Sequence, residues 1–121
     1  MPHFVMDCSD TVLNLYEQKF ICEQIHIAAL GTGLFVENEI KVRLNTFKIY
    51  SVGNIEDEFI HIFAYIMQGR TTVQKANLSK KIVSKLTSMF PNIQNIAMNV
   101  ADFEKATYCN HAMLKAIKSS K

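Results

Sequence analysis

A chain of 121 residues, 49% apolar and 20% charged, is long enough to bury one core without disulfide or metal support and too short for two, so residues 1–121 are expected to form a single domain. The formal net charge of +2 is too small to argue for nucleic acid as a partner. No stretch reaches the roughly 18 apolar residues of a membrane span, and Met1-Pro2-His3-Phe4 lacks the basic segment and apolar run of a secretory signal, so a cytoplasmic protein without membrane association is expected.

The first element is the apolar run His3 to Cys8, which reads as a strand, and Ser9-Asp10 offers side-chain oxygens to cap a helix directly behind it. Helical spacing of Leu13, Tyr16, Phe20, Ile25 and Ile27-Ala28 predicts that this helix runs from Thr11 to about Leu30, with Gly31 as its left-handed stop. After Gly31-Thr32-Gly33, alternation resumes: Ile40, Val42 and Leu44 fall on one side of a second strand, and Lys41, Arg43 and Asn45 on the other. The alternation shifts near Thr46 so that Phe47 and Ile49 become the apolar positions, which suits a bulge or bend, and Gly53-Asn54 marks a turn.

Phe59 to Met67 is almost wholly apolar, as expected for a central strand covered on both faces. Thr71 or Thr72 then caps a second helix whose buried stripe is Leu78, Ile82, Leu86 and Met89-Phe90, stopped by Pro91. Ile96, Met98 and Val100 alternate with Asn95, Ala97 and Asn99 in a last strand, and Asn110 to Lys121 offers a short, polar-ended helix. The order is two β-α-β units, an α+β fold with a four-stranded mixed sheet and two helices on one face. Two helices cannot cover both faces, yet the third strand also carries the row Phe59, His61, Phe63, Tyr65 and Met67. An identical subunit is the simplest cover for that row.

Pro2 is the most informative residue for chemistry. A small second residue permits removal of Met1, which leaves a secondary amine; a free α-amino group titrates near roughly 8, and desolvation and nearby cations push it toward working pH. With Met1 attached, the same nitrogen is an amide and has no basicity. By itself, a proline at a strand start requires no such role, since its missing N–H costs nothing there.

Met-Pro-His-Phe at 1 to 4, Cys8-Ser9-Asp10, Ala29-Leu30-Gly31-Thr32-Gly33-Leu34-Phe35, Phe59-Ile60-His61 and Gly69-Arg70 together resemble the 5-carboxymethyl-2-hydroxymuconate Δ-isomerase family of the tautomerase superfamily, in order and in spacing over about the first ninety residues. Each motif is weak alone, and the ordered set is fairly specific. The resemblance implies a homotrimer of β-α-β repeats, a keto–enol isomerase needing no cofactor, and catalysis by the terminal Pro2. It implies that arginines on the second strand and at the Gly-Arg turn bind the carboxylates of a small-molecule substrate; these map onto the Lys41 to Arg43 segment and onto Arg70. It further implies a place in the catabolism of homoprotocatechuate.

Residue chemistry supports part of this independently. Arg70 lies between a strand end and a helix N-terminus, where free N–H groups and the helix dipole favour an anion. Lys41 and Arg43, two apart on a strand, project from one face at a separation of about 6.6 Å. Lys41 stands where the family has arginine, keeping the charge and losing the planar fork, so the substrate is open: another superfamily enzyme acting on a different enol or unsaturated acid, or a non-catalytic trimeric binding protein, shares the pattern. His3, His26, His61 and His111 show no metal-ligand spacing, His61 suits a hydrogen-bonded interior or interface position, and the three unpaired cysteines suggest neither disulfide nor zinc.

Overall fold

The computed structural model describes residues 1–119. Strands β1 (His3–Ser9), β2 (Lys41–Phe47), β3 (Phe59–Met67) and β4 (Asn95–Phe103) form one sheet in the order β2-β1-β3-β4. Helix α1 (Gln18–Leu30) joins the parallel pair β1 and β2, helix α2 (Thr72–Met89) joins the parallel pair β3 and β4, and β1 meets β3 antiparallel. The expected α+β architecture of two β-α-β units is therefore the observed one, and a third helix, α3 (His111–Ser119), follows β4.

One face of the sheet is filled by the chain itself. Phe4, Met6 and Cys8 of β1 and Ile60, Ile62 and Ala64 of β3 are buried together with Ile21, Ile25 and Ala29 of α1 and Leu78, Ile82 and Leu86 of α2. The apolar side of β2 (Val42, Leu44) and of β4 (Ile96, Met98, Val100) packs onto the same cluster. On the other face, Phe59, His61, Phe63 and Met67 are only half-buried, and Tyr65 is 42% exposed. The anticipated uncovered row is real.

Several local expectations are corrected. Asp10–Asn14 forms a short 3-10 turn, and α1 begins only at Gln18. Ser9 caps nothing: its hydroxyl accepts from the Phe59 amide at 3.2 Å and donates to the Phe59 carbonyl at 3.5 Å, closing the β1–β3 ladder one step past Cys8. The buried stripe of α1 includes Ile21, while Phe20 and Ile27 turn outward. Gly31 is right-handed, with φ −64°, and the left-handed residue is Gly33 at φ 75°. No bulge interrupts β2, whose register against β1 runs unbroken to Ser9↔Phe47, so Phe47 falls on the open face beside Phe59. Thr71 caps α2 in a full capping box with Gln74, and Asn110 Oδ1 accepts from the Met113 amide at the start of α3. The tail helix expected over 110–121 forms over 111–119, and the remainder of that expectation lies outside the described residues.

Candidate active site

Pro2 is buried at one end of the sheet, where β1 begins. Its carbonyl accepts from the Lys41 amide at 3.1 Å, fixing the start of β1 against the start of β2. The two β2 cations follow: Lys41 is the register partner of His3, and Arg43 that of Val5, so both share the open face with His3. The parallel register thus sets Lys41 and Arg43 on the strand next to Pro2 and His3.

The Met1 amine pairs with the Glu39 carboxylate at 3.2 Å, and Lys41 Nζ donates to the Glu39 carbonyl at 3.1 Å. Glu39 belongs to no motif in the sequence. Its signal would have been proximity to the β2 start, which only becomes meaningful once β1 and β2 are known to be parallel neighbours.

Arg43 Nη1 lies 3.2 Å from His3 Nδ1. A guanidinium only donates, so the imidazole accepts and carries its proton on Nε2. Burial, then Arg43 and Lys41, hold the His3 pKa below the ordinary 6.5, which keeps the ring in that accepting form. His3 also lines an open hollow of about 300 Å³ with Phe103, Glu104, Thr107 and Tyr108, where the Phe103 and Tyr108 rings stack at 5.3 Å.

Arg70 is placed differently from the expectation of a free carboxylate seat. Its Nη2 donates to the Leu34 carbonyl at 2.8 Å, its Nη1 to the Met67 carbonyl at 3.4 Å, and its guanidinium lies over the Phe35 ring at 5.2 Å. Phe35 meets Phe4 edge-on, on the helix-covered side. Because β3 runs antiparallel to β1 with His3↔Tyr65 paired, Met67 and Arg70 stand at the same end of the sheet as Pro2. Among the described residues, however, no hydrogen bond joins Arg70 to Pro2, Lys41 or Arg43, and the Thr71–Gln74 capping box takes part of the helix-terminal donor set. Arg70 therefore braces the loop Leu34-Phe35 against the end of β3.

His61 Nε2 is hydrogen-bonded to Asn99 Oδ1 on the open face, the paired position expected of it. Cys8 is fully buried, and burial followed by Asp7 and Asp10 pushes its thiol up to about 11, which removes it as a nucleophile. Among the described residues no group of His, Cys, Asp or Glu side chains is arranged to hold a metal ion, and no helix is long and apolar enough to cross a membrane.

A family model described as 5-carboxymethyl-2-hydroxymuconate isomerase matches residues 2–116. None of the curated proteins matches the sequence significantly. Among solved structures, a 5-carboxymethyl-2-hydroxymuconate isomerase from Deinococcus radiodurans R1 is similar at TM-score 0.79 and 17% identity, covering 90% of this chain and 87% of that one. N1, a member of the cis-3-chloroacrylic acid dehalogenase family, is similar at TM-score 0.76 and 15% identity, over 90% of this chain and 80% of that one. The Q0 fused 4-OT wild type symmetric trimer is similar at TM-score 0.76 and 10% identity, over 90% and 91%. At these identities the solved structures show the fold, and the family model carries the classification.

Proposed function

Because the chain belongs to the 5-carboxymethyl-2-hydroxymuconate isomerase family, a group of isomerases within the tautomerase superfamily, we propose that it is a cofactor-free keto–enol isomerase of 5-carboxymethyl-2-hydroxymuconate or a closely related dienol, acting through the Pro2 amine once Met1 is removed. The neutral amine takes the proton of the 2-hydroxyl and returns one to a carbon further along the conjugated system, giving the α,β-unsaturated ketone. Proton count and charge are unchanged overall. Arg43 and Lys41 face the substrate carboxylates from the open face, Arg70 from the loop end, and the cations stabilise the charge that builds up in the dienolate. General acid–base catalysis of this kind contributes roughly 10²- to 10⁴-fold, so the rest falls to orientation by the cations.

The observation that carries this reading is the burial of Pro2 at a sheet end flanked by Lys41 and Arg43. The proposed working form is one domain per chain, assembled as a cytoplasmic homotrimer through the open face. Support for the assembly is the half-buried row from Phe59 to Met67 and the trimeric description of a protein with the same fold. Homoprotocatechuate breakdown is the proposed setting.

The test begins with intact mass, to establish that Met1 is absent. Trimmed protein should then isomerise the dienol, chemical capping of the terminal nitrogen should remove the activity, and Pro2→Ala, which leaves a primary amine, should retain a small part of it. Undiminished turnover after complete capping would sink the proposal. Lys41 in place of a fork-shaped donor favours a second reading, a related enol or unsaturated acid as the natural substrate. A panel of 2-hydroxymuconate, its carboxymethyl derivative and phenylenolpyruvate separates the two by kcat/KM.

A further inference from the structure

On the open face, Arg43 has two diagonal neighbours on β1. Its register partner is Val5, which offers nothing to a guanidinium, and Asp7 lies one step away in one direction and His3 in the other. A carboxylate is the stronger partner by charge. The side chain nevertheless leans toward His3, the neighbour on the Pro2 side, and donates to its Nδ1 at 3.2 Å. Asp7 is meanwhile engaged by Asn45, whose Nδ2 donates to Oδ1 at 3.2 Å. Among the described residues Arg43 enters no salt bridge, and its guanidinium is turned toward the Pro2 end.

We infer that His3 is a positioning residue for substrate binding: by accepting from Arg43 through Nδ1, it draws that guanidinium away from Asp7 and holds it, still unpaired with any carboxylate, beside Pro2. A neutral acceptor is the chemically suitable holder, because it fixes the direction of the fork without cancelling the charge that an incoming carboxylate needs. An acidic residue in the place of His3 would fix the same direction and remove the attraction. This inference rests on the isomerase reading above, in which the substrate is a dicarboxylate or tricarboxylate.

The experiment compares trimmed wild-type protein with His3→Leu, His3→Asn and the double variant His3→Leu/Asp7→Asn. Loss of the acceptor in His3→Leu should free Arg43 to turn to Asp7 and raise KM about tenfold, the scale of one charge-assisted hydrogen bond, with kcat changed little. His3→Asn keeps an acceptor oxygen near the Nδ1 position and should hold KM close to wild type. Neutralising Asp7 in the double variant should bring KM back down. An unchanged KM in His3→Leu, a loss expressed in kcat alone, or no rescue by Asp7→Asn would each overturn the inference. Calorimetric titration with adipate, a simple dicarboxylate, reads the same ranking without turnover. If wild-type protein binds adipate with this ranking and yet isomerises no dienol, the isomerase reading fails while the role of His3 stands; if adipate affinity ignores the His3 and Asp7 substitutions, the role of His3 fails.

Discussion

The two faces of one sheet follow opposite rules. On the helix-covered face the alternate residues of β3, Ile60, Ile62, Ala64 and Ile66, are at most 1% exposed and carry only apolar side chains. On the open face the same strand sets His61 between Phe59 and Phe63, and its polar side chains pair sideways: Arg43 with His3, Asn45 with Asp7, His61 with Asn99. The covered face stabilises by volume and burial. The open face pairs several of its polar side chains within the sheet and presents its aromatic rings beside them.

That contrast is broken most directly by paired truncations. Ile62→Ala removes a fully buried side chain from the middle of the core and should cost about 2–5 kcal/mol of unfolding free energy in urea titrations. Phe63→Ala, one residue along, should cost a dilute protomer much less, and should act on assembly instead, lowering the mass seen by light scattering. Equal losses from the two in a monomeric sample would mean that the open face is not an interface.

The covered face was legible in the sequence because burial leaves a period: the stripes of α2 and the alternation in β2 and β4 are where the helices and strands lie. Failures came where a local signal had competing explanations. Ser9 has the chemistry of a helix cap, and it was claimed instead by the β1–β3 ladder through the Phe59 backbone. The shift of apolar positions near Thr46 suggests a bulge or bend in the sequence, whereas the strand keeps its register and Phe47 joins the aromatic group of the open face with Phe59. Pro2, Lys41 and Arg43 are the site that the sequence proposes, and parallel pairing of β1 with β2 places them on neighbouring strands. Glu39 and the lean of Arg43 were not readable, since both depend on which side chains meet across strands about forty residues apart in sequence.

A smaller effect sharpens the comparison through titration on β1, which carries Cys8 on the covered face and His3 on the open one. Burial, then Asp7 and Asp10, raise the Cys8 pKa from 9.0 to about 11. A folded-state pKa above the unfolded value means that the folded state holds the proton longer, so this stabilising contribution is complete below pH 9 and is lost as pH climbs toward 11. Urea midpoints should fall across that interval in wild type and fall less in Cys8→Ala. Native protein should also be labelled by a thiol reagent at exposed Cys109 first and at Cys8 last.

The smallest shift expected is at the acid side, and its sign is the reverse. His3 is a base whose folded-state pKa is depressed by burial, then by Arg43 and Lys41, so on acidification the unfolded chain takes up the proton before the folded one does. Stability from this residue is present above 6.5 and declines as pH drops below that value, because a protonated ring can no longer accept from Arg43 and adds a third cation to the cluster. Partial exposure lets water screen the effect, which limits its size. His3→Asn, which keeps an acceptor and cannot titrate, should therefore flatten the acid limb of a plot of urea midpoint against pH while leaving the alkaline limb set by Cys8 unchanged. A variant that flattened both limbs would show that the two faces of β1 are coupled, and the separation drawn between them would fail.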